Sequence, residues 1–286
     1  YQRSDFKKNE DDKHDRIERM WDKAEAERIF EQIKQSAEAG VTEIKKRSPQ
    51  SPGRLYDLTT LQREANRLHH FPASRTLQLA QSLYERHKAI TYPRTDSKAL
   101  PEDYGQTCAE VLGNVPGELA RHAQLVLQSD WVDEKNKRIF NNKQISDHFA
   151  IIPTSTPPSG LDANESKIYN LILKRFISVF YPPAQWDVTT RTSELGEHRF
   201  KTEGRVLVEA SWLAIYGKDN QPDDTLPPLS PEDQDKASFL DAELLTDETK
   251  PPPRYSEATL LSAMEGAGKF IEDDDLAEAL KEKGLG

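Results

Sequence analysis

A short segment in the first third of the chain combines residue types that could carry out phosphoryl chemistry. The segment is Ala89-Ile90-Thr91-Tyr92-Pro93-Arg94-Thr95-Asp96-Ser97. Pro93 biases Tyr92 toward extended backbone, and in an extended segment Arg94 shares a face with the phenol. A guanidinium binds phosphate oxygens through paired hydrogen bonds and favours the phenolate over the phenol, whose ordinary pKa is about 10. The same pattern also fits a tyrosine at a strand end beside a surface arginine, so the residues alone leave both interpretations open.

The elements around this segment are predicted to be mainly helical. Residues 55–180 carry helical periodicity, with a Thr59/Gln62 capping box at one start and Pro72 at the next. Further helices are predicted from Pro101 to about 113 and over about 163–180. A polar helix is predicted around 15–37, and two short helices over 256–266 and 273–284.

Residues 184–247 change to the alternating, β-branched pattern of strands. The strand-like runs are 186–192, 197–203, 205–208 and 237–245. Proline-rich breaks separate the pieces, because proline cannot continue a helix or a central strand. The sequence therefore indicates a mixed α and β protein with more than one domain.

Composition permits a nucleic-acid protein without suggesting one. The chain has 286 residues, 39 Lys and Arg against 49 Asp and Glu, and a formal net charge of -10. Local potential in a cleft decides binding more than net charge does, and residues 45–94 are locally basic. No apolar run reaches the ~20 residues that a membrane span needs. The single cysteine, Cys108, excludes a disulfide within the chain and fits a reducing cytoplasm.

Five motifs resemble those of type IA DNA topoisomerases of the bacterial topoisomerase III kind, in the order that family has them. The first is the Tyr92 segment, which resembles the active-site signature. The others are the segments 55–65 (Leu-Tyr-Asp-Leu-Thr-Thr-Leu-Gln-Arg-Glu-Ala), 79–85 (Leu-Ala-Gln-Ser-Leu-Tyr-Glu), 145–154 (Ile-Ser-Asp-His-Phe-Ala-Ile-Ile-Pro-Thr) and 251–261 (Pro-Pro-Pro-Arg-Tyr-Ser-Glu-Ala-Thr-Leu-Leu). One departure is Phe149, where a second histidine often follows the residue matching His148.

The resemblance implies an α+β multidomain fold. Residues 52–177 would form a helical, winged-helix or CAP-like tyrosine domain inserted in a β-rich arch. The arch would comprise residues 1–51, which include the polar helix, and residues 178–250. Residues 251–286 would begin an outer helical DNA-binding domain. Both ends look truncated on this resemblance, and an N-terminal domain of the TOPRIM type is expected to be missing.

The resemblance also implies the chemistry. Tyr92 would attack a phosphate of single-stranded DNA and form a 5′-phosphotyrosine, with Arg94 neutralising the phosphate and His148 beside it. DNA contacts are expected from a wider set: Gln81, Lys88, Thr95, Asp96, Ser97 and Arg254. Strand passage and religation would follow in the full-length protein without ATP. The isolated chain is expected to bind single-stranded DNA without relaxing supercoiled DNA.

Magnesium is expected to act only through the TOPRIM domain, with no metal site in this chain. His69-His70 has no spaced partner, and the acids at 272–275 fit the start of a helix better than a metal site. DNA is the expected partner, with no membrane, in the bacterial cytoplasm at the nucleoid or a plasmid. Two other functions stay open: a non-catalytic DNA-binding or scaffold protein, and an interaction module with an acidic surface. A tyrosine recombinase fits poorly, because those enzymes need several arginines around a tyrosine near the chain's end.

Overall fold

The computed structural model describes residues 1–3, 6–9, 14–218, 224–227, 229 and 236–267. The chain divides into two compact units. The first, called the sheet unit here, comprises Tyr1–Gln50, Ala184–Ala210 and Asn220–Pro252. The second, called the helical unit, comprises Ser51–Pro183, Ser211–Asp219 and Pro253–Gly286. Among the described residues, no helix is long and apolar enough to cross a membrane.

The sheet unit is built on four antiparallel strands in the order β3-β2-β1-β4. The strands are β1 (Glu38–Gln50), β2 (Ala184–Leu195), β3 (His198–Glu209) and β4 (Lys236–Ser238). β1 pairs with β2 along its length, from Gly40 opposite Glu194 to Gln50 opposite Ala184. A strand ladder therefore joins the early part of the chain to residues 184–194.

A small apolar cluster closes one end of this sheet. Helix α1 (Lys23–Lys34) contributes Ile29 and Ile33, which pack with Ala39 of β1 and Leu195 of β2. The helix begins at Asp22, whose side chain accepts hydrogen bonds from the backbone N–H groups of the first turn. The helix is shorter than the predicted span of 15–37, because the Asp22 cap sets its start and β1 already begins at residue 38.

The described part of the helical unit contains six α-helices. They are α2 (Leu58–His69), α3 (Ala73–Glu85), α4 (Gly105–Gly113), α5 (Ala120–Gln128), α6 (Ala163–Val179) and α7 (Glu257–Glu265). Short 3-10 turns lie at Gly117–Leu119, Asn142–Gln144 and Ser211–Tyr216. One large apolar core joins α2 to α6, with Leu83, Phe140 and Phe176 among its fully buried side chains.

Helix α7 packs on α2 and α3 through their ends. The carboxylate of Glu257 accepts a hydrogen bond from the backbone N–H of Ala73, 2.6 Å away, at the start of α3. Pro72 precedes that helix and offers no side-chain cap of its own. In return the Asn66 side chain on α2 accepts from the backbone N–H of Ala258, 3.3 Å away. Each helix start thus finds a partner for an N–H group that has none within the helix.

Two predicted helix starts are wrong. The first helix of the unit is capped by Asp57, which accepts from Thr60 N at 2.7 Å, and not by a Thr59/Gln62 box. A carboxylate two residues earlier outcompetes the threonine hydroxyl, because a charged acceptor makes the stronger bond to the helix start. The helix predicted from Pro101 begins only at Gly105, after a turn.

Some of the other predicted elements are confirmed, and one strand is shorter than predicted. The start at Pro72, the helix over about 163–180 and the helix over 256–266 are confirmed. The strand predicted over 237–245 is limited to Lys236–Ser238, because only this stretch pairs with β1. The helix predicted over 273–284 lies outside the described residues. Cys108 is fully buried on α4, and burial raises the pKa of its thiol to about 12.

Leu83 tests how far the helical unit depends on its core. This residue on α3 is fully buried, so Leu83→Ala removes apolar contacts and leaves a cavity. We expect a loss of roughly 2–5 kcal/mol in the free energy of unfolding, measured by urea denaturation. Leu125→Ala on α5, where the leucine is 42% exposed, should change stability by less than ~0.5 kcal/mol. Equal losses in the two variants would contradict this core assignment.

Candidate active site

The Tyr92 segment is held by pairing with a segment that lies about sixty residues further along the chain. Ile90 forms an antiparallel bridge with Pro153, and Thr91 N donates to Ile152 O at 2.9 Å. The Thr91 hydroxyl donates to Ala150 O at 2.9 Å and accepts from Ile152 N at 3.0 Å. One threonine therefore links the two segments through both its backbone and its side chain.

Burial alternates strictly along the residues that follow. Tyr92 is half-buried, while Arg94 and Asp96 are exposed. The alternate residues are buried: Pro93, Thr95, Ser97 and Ala99. The alternation has the two-residue period of an extended chain, with bends at Thr91 and Pro93. The Tyr92 phenol and the Arg94 guanidinium are both at least partly accessible to solvent.

The ring of Tyr92 lies between two other rings. Its centroid is 4.4 Å from that of His148, with the planes at 49°. On another side Tyr84 of α3 approaches at 5.4 Å and 77°, an edge-to-face contact. His148 is exposed, and so its imidazole is accessible beside the phenol. The structure thus brings together two of the three residues predicted to be catalytic.

The inward side chains fix the positions of the outward ones. Thr95 Oγ1 donates to the backbone oxygen of His148 at 2.8 Å. Ser97 Oγ donates to Gln144 O at 2.8 Å and accepts from Ala99 N at 3.1 Å. Both hydroxyls are therefore used within the protein, in side chains that are nearly fully buried. They hold the segment that carries Tyr92 against the segment that carries His148.

The other predicted DNA-contacting residues lie on several elements. Asp96 accepts a hydrogen bond from Ser146 Oγ at 2.9 Å, which ties it to the segment of His148. Gln81 is half-buried on α3, and Lys88 is exposed just after that helix. Arg254 is exposed in the stretch that precedes α7, an element separate from those bearing Tyr92 and His148.

A buried polar cluster supports the end of α3. Glu165 completes the capping box of α6 with Asp162, and its other oxygen accepts from Ser82 Oγ at 2.6 Å. His87 Nε2 lies 3.2 Å from the same carboxylate. The Ser82 hydrogen bond, then the backbone N–H of Asp162, and then His87 lower the pKa of Glu165 below its ordinary value. The carboxylate therefore stays charged and joins α3, α6 and the following loop.

Sequence reasoning missed two features of this site. The sequence assigned no site role to Tyr84, although its position in the last turn of α3, eight residues before Tyr92, was a usable signal. Lys98 pairs with Asp57 at 3.1 Å and with Glu265 at 3.5 Å. Partners so distant in sequence leave no local pattern, so this ion pairing could not have been predicted.

Metal ligands are not gathered in the described part of the chain. Within residues 14–218 and the other described ranges, no group of three or more His, Cys, Asp or Glu side chains could hold a metal ion. His69 and His70 are adjacent at the end of α2, with His70 in a left-handed backbone conformation. The acids at 272–275 lie outside the described residues. The described residues therefore do not fit a magnesium site.

Comparison with known proteins defines the class of this chain. The family model described as DNA topoisomerase matches residues 2–286. The chain therefore belongs to the DNA topoisomerase family, as its five motifs predicted. Within that family it is similar to bacterial DNA topoisomerase 3. It is 39% identical to the Bacillus licheniformis protein over 266 residues and 37% identical to the Bacillus subtilis protein over 289 residues.

These matches cover most of this chain and a smaller part of each relative. The first match spans 87% of the chain and 36% of the B. licheniformis protein. The second spans 96% of the chain and 39% of the B. subtilis protein. Full-length topoisomerase I from Thermotoga maritima shares the fold, with a TM-score of 0.60 at 21% sequence identity. That match covers 92% of this chain and 43% of the other. The mixed α and β fold with an antiparallel sheet is thereby confirmed.

Glu165→Gln tests the charged cluster beneath the site. Because the folded-state pKa of Glu165 is lowered, its charge stabilises the fold above the ordinary carboxyl pKa of ~4.3. That contribution is lost as the pH falls through the lower, folded-state value. We expect Glu165→Gln to cost roughly 1–3 kcal/mol at pH 7, with the difference from wild type shrinking as the pH approaches 3.

The matched control is Glu118→Gln, which makes the same chemical change at an exposed position. It should leave the free energy of unfolding within ~0.5 kcal/mol of wild type at each pH. Urea denaturation of the three proteins between pH 3 and 7 provides the measurement. A pH-independent difference between wild type and Glu165→Gln would show that the carboxylate charge does not stabilise the cluster.

Proposed function

We propose that this chain carries the nucleophile of a type IA topoisomerase and cleaves single-stranded DNA through Tyr92. The observation that carries the proposal is the placement of the Tyr92 phenol 4.4 Å, ring to ring, from the accessible His148 imidazole. Arg94 is exposed two residues further along the segment. Membership of the DNA topoisomerase family supports this assignment over a chance grouping of the three residues.

In the proposed reaction the Tyr92 oxygen loses its proton and attacks a backbone phosphorus atom. A new phosphorus–oxygen bond joins the protein to the 5′ side of the break. The bond to the 3′ oxygen breaks, and that oxygen takes up a proton to become a 3′-hydroxyl. One phosphodiester replaces another, so the reverse attack by the 3′-hydroxyl reseals the strand without ATP. Strand passage between the two steps is proposed for the longer protein.

Arg94 is proposed to neutralise the phosphate as negative charge builds on it. Its exposed guanidinium has no carboxylate within 4.0 Å among the residues that the structure describes, so it is available to a phosphate. A planar guanidinium can contact two phosphate oxygens at once, and this stabilises the crowded transition state. His148 is proposed to hydrogen-bond a further phosphate oxygen, or to take part in the proton transfer next to the phenol.

The DNA contacts follow from exposure. Lys88 and Arg254 offer accessible cations for backbone phosphates, and Gln81 offers an amide at the half-buried edge of α3. Asp96 is proposed to orient the segment through Ser146. Thr95 and Ser97 would contribute by shaping the loop, because their hydroxyls already bond to His148 O and Gln144 O.

Single-stranded DNA fits the charge of this chain better than duplex DNA does. A single strand is bound by scattered phosphate contacts and stacking surfaces, which the net charge of -10 permits. Magnesium, required on the resemblance, is proposed to act through a domain of the TOPRIM type in the longer protein and not through this chain. Without that domain, we propose that the chain binds single-stranded DNA but does not relax supercoiled DNA.

Covalent trapping tests the nucleophile. The chain is incubated with an oligonucleotide labelled at its 3′ end, with magnesium and a separately supplied TOPRIM-type domain, and is then denatured. The 3′ label stays on the DNA half that the tyrosine holds, so we expect a labelled protein band with wild type. Tyr92→Phe should abolish it, because the nucleophilic oxygen is gone. Arg94→Lys should reduce it roughly 10- to 100-fold, because an ammonium cannot form the paired contacts.

Tyr255→Phe provides the matched control for the missing hydroxyl. Tyr255 is 67% exposed and lies in the stretch before α7, so this variant should trap as much DNA as wild type. An adduct that survives Tyr92→Phe would disprove the assignment of the nucleophile. Intact binding of single-stranded DNA with no adduct under any condition would favour a DNA-binding protein without catalysis.

A further inference from the structure

Tyr84 has no role among the predicted site residues, but its contacts suggest one. The role inferred for Tyr84 rests on the proposed function. Tyr84 lies in the last turn of α3 and contacts Tyr92 edge-to-face, with centroids 5.4 Å apart. We infer that Tyr84 is a positioning residue, which holds the Tyr92 ring in the orientation needed for attack and holds the Lys88 ammonium beside it.

The first step of the argument is the freedom that Tyr92 would otherwise have. Its side chain is half-buried at an edge of the unit, and a tyrosine in that position can change rotamer. Two ring contacts restrict it, one from His148 and one from Tyr84. His148 is itself exposed, and so Tyr84 is the better supported of the two. An edge-to-face pair can shift a rotamer population by roughly 2- to 12-fold.

The second step is the rigidity of the Tyr84 backbone. Its neighbour Leu83 is fully buried, and Leu83 O accepts from Ala89 N at 2.8 Å across the end of the helix. Ser82 Oγ donates to the buried Glu165 carboxylate. Residues on both sides of the ring are thus tied to the core. The ring stands on a rigid element and can act as a fixed wall for Tyr92.

The third step concerns Lys88. Its ammonium nitrogen lies 5.7 Å from the centre of the Tyr84 ring, within the range of a cation–π contact. Lys88 has a left-handed backbone with φ of 53°, which is uncommon outside glycine. Thr154 Oγ1 fixes it by donating to Lys88 O at 2.7 Å. One tyrosine thus contacts both the nucleophile and a cation that could meet the same DNA strand.

The alternative is that Tyr84 is only a packing residue at the rim of the core. The two roles predict different results for two substitutions. Tyr84→Phe keeps the ring and both ring contacts, and it removes only the hydroxyl. Tyr84→Leu keeps much of the apolar volume but removes the ring. Only a positioning role makes the leucine variant specifically defective in the orientation of Tyr92.

The first measurement reads Tyr92 directly and needs no catalysis. In the chain labelled with 13C at its tyrosine rings, the resonance of Tyr92 is assigned by its loss in Tyr92→Phe. Tyr84→Leu removes the ring current of Tyr84, so the chemical shift of Tyr92 changes whether Tyr84 positions that ring or only packs against the core. The quantity that separates the two roles is therefore the mobility of the Tyr92 ring, measured by NMR relaxation. We expect more rotamer averaging in Tyr84→Leu and wild-type behaviour in Tyr84→Phe.

The second measurement separates positioning from binding. With the trapping assay, the rate of adduct formation at saturating oligonucleotide should fall roughly 10-fold in Tyr84→Leu. The dissociation constant for the oligonucleotide should change less than about 3-fold, because Tyr84 is not proposed as the main DNA contact. Tyr84→Phe should keep both values near those of wild type.

Tyr216→Leu is the matched control. Tyr216 is also half-buried and contacts Trp212 edge-to-face at 5.8 Å, on an element away from the Tyr92 segment. It should leave the mobility of Tyr92 and the trapping rate unchanged. An unchanged Tyr92 mobility and trapping rate in Tyr84→Leu would overturn the inference. So would a fall in affinity equal to the fall in rate, since that marks a DNA contact.

The two proposals can fail separately. If wild type forms no adduct under any condition, the proposed function fails, and the mobility of Tyr92 still decides whether Tyr84 restrains it. If wild type forms an adduct and the two leucine variants behave alike, only the positioning role fails.

Discussion

The pairing of Thr91 with residues 150–152 is the contact on which the candidate site depends. Tyr92 and His148 are more than fifty residues apart in the chain, and they meet because this short ladder fixes the register of the two segments. A shift by one residue would turn Tyr92 inward and Pro93 outward, because side chains alternate along extended backbone. The buried hydroxyls of Thr95 and Ser97 lock the same register from the inner side.

Buried charge supports this arrangement from beneath. Glu165 lies at the start of α6 near the end of α3, and its carboxylate accepts hydrogen bonds from Ser82 Oγ and Asp162 N–H, with His87 Nε2 3.2 Å away. A buried carboxylate without such partners would destabilise the fold. The cluster therefore stabilises the fold only when all of its members are present. The cluster links the last turn of α3, the start of α6 and the loop that leads toward Tyr92.

The positive charges of the molecule are clustered locally, and the net charge of the chain does not reveal this clustering. The chain is acidic overall, yet Arg94 and Lys88 are exposed close to the phenol in sequence and on neighbouring elements. Lys98, by contrast, is neutralised by Asp57 and Glu265, so it serves as a brace between α2, α7 and the site segment. Cationic side chains within a few residues of each other thus differ in function. Lys98 is paired with carboxylates and braces the fold, whereas Arg94 and Lys88 are exposed.

The sequence by itself determined the family and the limits of helices such as α6, because these depend on nearby residues. It misplaced the start of α2, since Asp57 and Thr59 both offer a cap and only the folded backbone selects between them. The tertiary structure alone decided that Tyr84 and His148 flank Tyr92, and that Glu257 caps α3. Such contacts join residues that are far apart in the chain. The local sequence pattern cannot predict them, because only the folding of the chain brings these residues together.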